Sequence, residues 1–176
     1  RTLARMNRKY NTAEFLACVE RLRRYFPGCA LTADMITGFP GETEADQAAA
    51  VAFLEQVGFA AVHVFPYSRR PGTKADAMPE QLSHAVKSAR AHEAQRVADA
   101  CKQRYLVQQV GQTLPVLFET EHDGSWVGHS DNYCLVRAAG DDLRGLVKNV
   151  KISAVSGQML VAVSYTHLRA HETRHD

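Results

Sequence analysis

The chain has 176 residues, of which 45% are apolar, and its formal net charge is +2 at pH 7. This composition predicts a soluble globular protein with one ordinary domain or two small ones, and it excludes a disordered chain. No apolar run approaches the roughly 18 residues needed to span a bilayer, and the first ten residues lack the apolar stretch of a secretion signal. We therefore expect no membrane partner. The chain starts at Arg1 inside what reads as a finished motif, so we expect a piece of a longer protein.

The first half of the chain alternates between helix and strand signals. An Asn/Thr start, Glu14 in the first turn and apolar residues at 15, 19, 22 and 26 predict a helix that ends before Pro27. A short buried strand and a second helix, opened by Thr43 and ending near Gly58, follow. This rhythm is typical of parallel βα units. The predicted elements are helix 11–26, strand 30–36, helix 43–58, strand 60–65 and helix 82–107.

After Gly111 the pattern changes to short strand-like segments separated by turns at 122–124 and 140–142. Such spacing predicts a small antiparallel β-barrel of about 50 residues, with the boundary between the two halves near residues 106–111. The predicted strands cover 113–120, 125–132, 133–139, 143–153 and 158–162.

The segment GFPGET, residues 38–43, follows the first strand and carries the most chemistry. Gly38 and Gly41 permit positive φ or a close approach to a ligand, and Thr43 caps the next helix. Ligands often bind at the carboxyl ends of parallel strands, and Glu42 is expected at the lip. An ordinary tight βα turn is the other interpretation, and spacing alone favours it.

The segment HVFPYSRRPGT gives a second candidate at the end of the next strand. Phe65, Pro66 and Tyr67 are expected on the same rim as Gly38, where a purine ring could stack. The alternative is that Phe65 fills core while Arg69 and Arg70 are merely exposed. His63, in the middle of the strand, is expected to be a core histidine.

The cysteines bear on metal binding, and the basic residues bear on the type of partner. Cys18, Cys29, Cys101 and Cys134 fit neither a CxxC metal pair nor a disulfide framework, which predicts thiols in a reducing cytoplasm and no metal site. Seven of the first 24 residues are basic and two are acidic. This local excess suits a phosphate-bearing partner or a solvated helix face, and charge alone leaves both open.

Four blocks in order, RTLARMNRKY, ALTADMITGFPGETEAD, HVFPYSRRPGTKADAMPEQ and GHSDNYCLV, resemble the carboxyl-terminal part of the radical S-adenosylmethionine (SAM) methylthiotransferases. The likeness covers residues 1 to about 162. It implies transfer of a methylthio group to carbon 2 of a modified adenosine at position 37 of tRNA. HVFPYS, RRPGT and MPEQ are most like the bacterial subgroup that acts on N6-threonylcarbamoyladenosine. The isopentenyladenosine subgroup is the main alternative, and a subgroup acting on a ribosomal protein is more remote.

The resemblance implies an α/β plus all-β architecture. Residues 1–106 are expected to form the last third of a TIM-like radical SAM (β/α) barrel, and residues 107–162 a TRAM domain, a small β-barrel that binds tRNA. The implied partners are the tRNA anticodon stem-loop and an electron donor protein, and the parent enzyme is expected to be monomeric. The implied cofactors are S-adenosylmethionine and two [4Fe-4S] clusters. Neither the CxxxCxxC loop nor the second cysteine trio occurs here, so we expect no catalytic residue and no activity in this chain alone.

Carried over residue by residue, the resemblance gives two sets of site residues. The expected cofactor contacts are Thr32, Asp34, Gly38, Phe39, Pro40, Gly41, Glu42, Phe65, Pro66 and Tyr67. Basic side chains that suit RNA phosphates and aromatic rings that suit unpaired bases form the other set, although Trp and Tyr in a small barrel are as often core. The expected RNA contacts are Arg8, Arg69, Arg70, Trp126, Tyr133, Arg137, Arg144, Lys148 and Lys151.

The segment VSYTHLRAHET, from residue 163, differs from everything before it. Its back-translation permits a DNA string that resembles a transposon-derived sequencing adaptor, and the adaptor requires a preceding codon ending in CT, which Ala162 allows. We therefore interpret 163–176 as an appended, disordered artefact and exclude it from the fold. The alternative is a helical metal site, because His167, His171 and His175 recur every four residues.

Overall fold

The computed structural model describes residues 1–163. The chain divides into two compact units, one from Arg1 to Tyr105 and one that begins at Leu106. The predicted histidine site of the tail lies outside the described residues. Val163, the first residue of the segment that we interpret as an appended tail, ends the last strand and pairs with Lys151, so the expected disorder does not begin at that residue.

The first unit alternates helices and strands, as the sequence predicted. The strands pair in parallel, with Thr32 opposite Ala61 and Thr37 opposite Pro66. Two strands make a sheet and not a barrel within this chain. A short first helix was not predicted. The elements are α1 Thr2–Arg5, α2 Thr12–Tyr25, β1 Thr32–Thr37, α3 Glu44–Val57, β2 Ala61–Pro66 and α4 His84–Gln108.

Reciprocal caps fix where α2 and α3 begin. Asn11 accepts a hydrogen bond from the Glu14 backbone N–H, and the Glu14 carboxylate accepts one from the Asn11 N–H. Thr43 and Asp46 repeat this arrangement at α3. Two otherwise unpaired donors are thereby satisfied at each helix start, which explains why the sequence located both starts correctly.

The two faces of the β1–β2 sheet differ. Ala33, Met35 and Val64 pack on one face against a core supplied by α2, α3 and α4, including Val19, Leu54 and Ala94. Side chains alternate along a strand, so the other face carries Thr32, Asp34 and Ile36 from β1 and His63 and Phe65 from β2, all of them exposed.

The exposed residues of the first unit correct three expectations. β1 is not a buried strand, because every second residue faces out. His63 is exposed and stacks beside Phe65, with ring centroids 6.5 Å apart, and is not a core histidine. Leu22 on α2 and Phe26, which follows the last residue of α2, are exposed although their spacing placed them with buried Val19.

Up to residue 163, where the described structure ends, the second unit contains five strands, β3 Thr113–His122, β4 Ser125–Ser130, β5 Leu135–Ala138, β6 Val147–Ser156 and β7 Met159–Val163. They pair in the order β3-β4-β5-β7-β6, and β6 pairs again with β3. The predicted all-antiparallel arrangement was wrong at one place, because β5 and β7 run parallel. The inner face packs the most buried side chains, Val116, Phe118, Val136, Ile152 and Leu160.

No helix within residues 1–163 combines the length and the apolar character needed to cross a membrane.

The cap of α3 makes a testable prediction about pH. The hydrogen bond from the Thr43 backbone N–H, with help from the Thr43 hydroxyl and Arg1, lowers the pKa of Asp46 from 3.8 to about 2. A lowered carboxyl pKa stabilises the folded chain above the unfolded pKa, and this contribution disappears as pH falls toward the folded pKa. Asp46→Asn should therefore lower the urea midpoint, measured by circular dichroism, at about pH 6, and the deficit should shrink below about pH 4.

The control is Glu55→Gln, an exposed carboxyl near the end of the same helix. Its effect should stay within about 0.5 kcal/mol at every pH. A deficit for Asp46→Asn that remains constant down to about pH 2 would contradict the capping role.

Candidate functional sites

The turn after β1 is held by a buried ion pair. The Glu42 carboxylate accepts a hydrogen bond from the Gly38 N–H at 2.9 Å and from Arg90 Nη1 at 2.8 Å. Arg90 Nη1 also donates to the Glu42 carbonyl. The side chains of Arg90 and Glu42 are only 8% and 6% exposed. Glu42 is thus an internal brace of the turn and does not present its carboxylate at the lip.

The backbone donors of the turn are also occupied. The Gly41 N–H donates to the Glu80 carbonyl, and the Glu42 N–H donates to the Phe39 carbonyl. Because the N–H groups of Gly38, Gly41 and Glu42 all donate within the protein, these three groups are not available to a ligand. The turn acts as a rigid support.

Backbone conformation favours glycine at both positions, and a close approach of α4 adds a second reason at Gly38. Both have positive φ, 70° at Gly38 and 73° at Gly41. A Cβ on Gly38 would lie 2.4 Å from Lys87 Cγ, and a Cβ on Gly41 would lie 2.2 Å from Arg5 Nη1. Glycine is therefore required at Gly38 both by backbone conformation and by the approach of α4.

The glycine turn and the end of β2 lie side by side. The Tyr67 N–H donates to the Thr37 carbonyl, and the Phe39 and Tyr67 rings meet edge to face with centroids 5.3 Å apart. Lys87 Nζ lies 5.6 Å from the Tyr67 ring centroid. Thr37 Oγ1 and Tyr67 Oη are buried with no hydrogen-bond partner among residues 1–163. Phe39 and Tyr67 are buried, so these rings serve as packing next to the turn.

The exposed sheet face combines different chemical groups. Asp34 lies opposite His63, and Ile36 lies opposite Phe65, which is 51% exposed. A carboxylate, an imidazole, an aliphatic group and an aromatic ring thus share one face beside the turn. This combination suits a ligand with both a ring and polar groups. Of the expected cofactor residues, Thr32, Asp34 and Phe65 lie on this face, and Pro66 ends β2.

The expected RNA contacts of the first unit are not equivalent. Arg69 is engaged by Asp76, through Nε to the carboxylate at 2.7 Å and through Nη2 to the carbonyl at 3.0 Å. Arg8 and Arg70 are exposed.

The expected RNA contacts of the second unit divide into core and surface. Trp126 is 6% exposed and belongs to the core, so the stacking role assigned to it was wrong. Tyr133 is 86% exposed. Arg144, Lys148 and Lys151 are exposed, and Arg137 is partly buried on β5 between Val127 and Val161. Residues 1–163 contain no cluster of three His, Cys, Asp or Glu side chains that could hold a metal ion.

Sequence reasoning missed Arg90, although a signal for it exists. The buried residues of α4 recur at helical spacing, at 90, 94, 98, 101 and 105. Arg90 occupies the first position of this otherwise uncharged stripe, and charged residues are rarely buried unless they are paired. A charge at a core position should have prompted a search for its partner.

The protein is therefore of the mixed class: it has an α/β unit with a polar and aromatic sheet face, followed by a small β unit with an exposed tyrosine.

No family model matches the chain. Threonylcarbamoyladenosine tRNA methylthiotransferase MtaB of Bacillus subtilis is 37% identical over 156 residues, which cover 85% of this chain and 35% of that protein.

Two further relatives are also named for a methylthio modification of tRNA. A tRNA-2-methylthio-N(6)-dimethylallyladenosine synthase of Nitratidesulfovibrio vulgaris is 37% identical over 171 residues, covering 92% of this chain and 38% of the relative. The MtaB protein of Chlamydia pneumoniae is 40% identical over 128 residues, or 73% of this chain and 30% of the relative. The chain belongs to the tRNA methylthiotransferase family. It spans a little over a third of the length of the first two relatives.

The buried pair gives a prediction about stability. Removing one partner of a buried ion pair leaves an uncompensated charge, which costs about 3–5 kcal/mol. Arg90→Met should therefore lower the free energy of unfolding by about that amount in urea titrations. Glu42→Gln combined with Arg90→Met should cost less than Arg90→Met alone, because no buried charge remains.

The matched control is the Arg69–Asp76 pair, whose side chains are 57% and 25% exposed. Arg69→Met should cost less than about 1 kcal/mol, as exposed pairs do. Equal losses for Arg90→Met and Arg69→Met would contradict the bracing role of Arg90.

Proposed function

We propose that the chain is part of an enzyme that transfers a methylthio group to carbon 2 of N6-threonylcarbamoyladenosine at position 37 of tRNA. The observation that carries this proposal is the 37% identity to the Bacillus subtilis relative over 85% of the chain. The segments HVFPYS, RRPGT and MPEQ favour the threonylcarbamoyladenosine subgroup by resemblance.

The alternative substrate is dimethylallyladenosine, which is isopentenyladenosine. The relative named for that nucleoside has the same 37% identity and covers more of the chain, at 92%. The identities therefore support both substrates equally, and the experiment must separate them.

The exposed face of β1 and β2 fits S-adenosylmethionine better than the glycine turn does. The cofactor has an aromatic base, a ribose and a charged amino acid group. Phe65 and Ile36 offer apolar contact for a ring, and Asp34 offers a carboxylate for an amino or hydroxyl group. When bound, the cofactor would supply the radical that the reaction requires. The Glu42–Arg90 brace and Lys87 would keep the turn beside this face fixed.

The residues of this chain do not fit an iron-sulfur cluster. Cys101 and Cys134 are buried, and Cys18 and Cys29 are 11 positions apart. We therefore assign no cluster ligand here and propose that catalysis requires cysteines supplied from outside these residues, so that the chain alone is inactive. The same reasoning makes the electron donor a partner of the complete enzyme.

For the second unit we propose the role of a TRAM-like tRNA-binding module, with the first unit forming the end of the radical SAM domain. The exposed Tyr133 and the exposed basic residues Arg144, Lys148 and Lys151 support RNA contact. The anticodon stem-loop is the proposed partner because it contains the unpaired bases that such modules recognise.

Nucleoside mass spectrometry tests the proposed reaction. Transfer RNA from cells lacking the complete gene should lose the 2-methylthio form of N6-threonylcarbamoyladenosine and retain the unmodified parent nucleoside. Loss of 2-methylthio-dimethylallyladenosine instead would establish the alternative substrate. Unchanged levels of both nucleosides would overturn the proposal.

The support role of the turn predicts a difference between two glycine variants of the complete enzyme. Gly38→Ala should abolish rescue of the deletion strain, because its Cβ would lie 2.4 Å from Lys87 Cγ and 3.2 Å from the Lys87 Cα. Gly28→Ala is the control, since Gly28 has a similar φ of 78° but no atom within 4 Å of the added Cβ. The readout is the 2-methylthio nucleoside level at equal protein abundance. Rescue by Gly38→Ala as good as that by Gly28→Ala would contradict the close packing.

A further inference from the structure

The loop between β4 and β5 displays Tyr133 from a heavily hydrogen-bonded frame. The Ser130 N–H donates to the Cys134 carbonyl, the Cys134 N–H donates to Ser130 Oγ, and the Tyr133 N–H donates to the Ser130 carbonyl. Asn132 Nδ2 donates to Gln109 Oε1 at 3.0 Å, which ties the loop to the start of the unit. Within this frame Tyr133 is 86% exposed.

Tyr133 also has a strained backbone, with φ of 61°. Non-glycine residues rarely adopt positive φ, and such strain persists only where the surroundings enforce it. Here an ordered frame holds a large ring in water at a conformational cost, although burying the ring would be favourable. The combination indicates a ring that contacts a partner.

The outer face next to Tyr133 is largely apolar. Strand register places Val147, Leu117, His129 and Leu135 in one row across β6, β3, β4 and β5. The His129 ring lies 6.1 Å from the Tyr133 ring, and its Nδ1 contacts Glu119 Oε2 at 2.6 Å. We call the surface formed by Leu117, His129, Tyr133, Leu135, Arg137 and Val147 the Tyr133 face. It offers two aromatic rings above an aliphatic base.

Arg137 supplies the cation of this face. It follows Leu135 on the same side of β5 and lies between Val127 and Val161 of the flanking strands. Its Nε is buried and has no hydrogen-bond partner in residues 1–163. Nε itself is covered by protein, but Arg137 as a whole is only partly buried, so its guanidinium can donate to a ligand with acceptor oxygens beside the exposed rings.

The charge balance of the unit decides how it binds. Residues 106–163 contain four basic side chains, Arg137, Arg144, Lys148 and Lys151, and six acidic ones, Glu119, Glu121, Asp123, Asp131, Asp141 and Asp142. A net negative unit gains little from general attraction to phosphate. Stacking on aromatic rings is independent of net charge and contributes about 1–3 kcal/mol per base. The carboxylate of Glu119, next to the Tyr133 face, contacts the His129 ring. Arg137 is the cation of the Tyr133 face.

We propose that the Tyr133 face is a binding site for unpaired RNA, in which Tyr133 and His129 stack on bases and Arg137 contacts an adjacent phosphate. The site rests on the proposed tRNA-binding role of the second unit and names its contacts. Binding is therefore driven mainly by stacking, and its dependence on salt is shallow.

The experiment measures fluorescence anisotropy of the complete 176-residue chain with a labelled single-stranded oligoadenylate of roughly eight nucleotides, within the usual site size of small β-barrel modules. Tyr133→Ala should weaken binding about 5- to 150-fold, whereas Tyr133→Phe should bind like the wild type. The matched control is Tyr25→Ala, which removes a tyrosine that is 72% exposed on the first unit. It should leave affinity unchanged. Circular dichroism melts show that each variant is folded.

The outcomes separate the possibilities. Equal affinity for Tyr133→Ala and wild type overturns the site, as does equal weakening by Tyr133→Ala and Tyr25→Ala or the absence of RNA binding by the wild type. Tighter binding of an RNA duplex than of the single strand also overturns it. The affinities of these variants do not affect the tRNA nucleoside analysis of the deletion strain. The binding site and the proposed reaction can therefore be overturned separately.

Salt titration gives a second readout. Each neutralised phosphate on a single strand contributes about −0.7 to the slope of log affinity against log salt. Contact through Arg137 alone predicts a slope of about −0.7, and Arg137→Gln should bring the slope close to zero. A slope steeper than about −3 exceeds what the four basic residues within 106–163 supply, and it would overturn stacking as the main source of affinity.

Discussion

The ion pair between Glu42 and Arg90 is the contact on which the shape of the turn after β1 depends. Buried ion pairs contribute little net stability, because desolvation offsets their attraction. They instead hold two groups in one fixed geometry, because losing either partner leaves a buried charge without a partner. Arg90 extends from α4 to the turn after β1, and through Glu42 it fixes the Gly38 N–H. One side chain of a distant helix thereby sets the shape of a turn about 50 positions earlier in the chain.

This arrangement changes what the glycine-rich turn does. A glycine-rich turn after a strand usually suggests backbone N–H groups directed at a ligand. Here three of those groups, on Gly38, Gly41 and Glu42, are occupied internally, and Gly38 admits the close approach of Lys87. The exposed groups beside the turn lie instead on the neighbouring sheet face, with Asp34, His63 and Phe65.

Local signals were sufficient for much of the fold. The caps at Asn11 and Thr43 and the stop at Gly58 are short-range features, and the structure contains all three. The parallel β5–β7 pair, buried Trp126 and exposed His63 depend on which segments meet in space, and strand periodicity does not specify that. For the same reason the partner of Arg90 could not be read from the sequence, although its charge in a buried stripe marks the position.

The two units differ in net charge and in exposed aromatic rings. Between residues 1 and 105 there are fifteen basic and eleven acidic side chains, whereas the second unit has an excess of acidic ones. Long-range attraction to phosphate scales with net charge, so the second unit gains little from it. The feature of the second unit that suits stacking is the exposed ring held by the hydrogen-bonded loop around Tyr133. Attraction without base contacts positions an RNA but does not distinguish one base from another. The proposed reaction on a single nucleoside of a loop would need both attraction and base contact, and net positive charge and the exposed Tyr133 ring are found in different units of the chain.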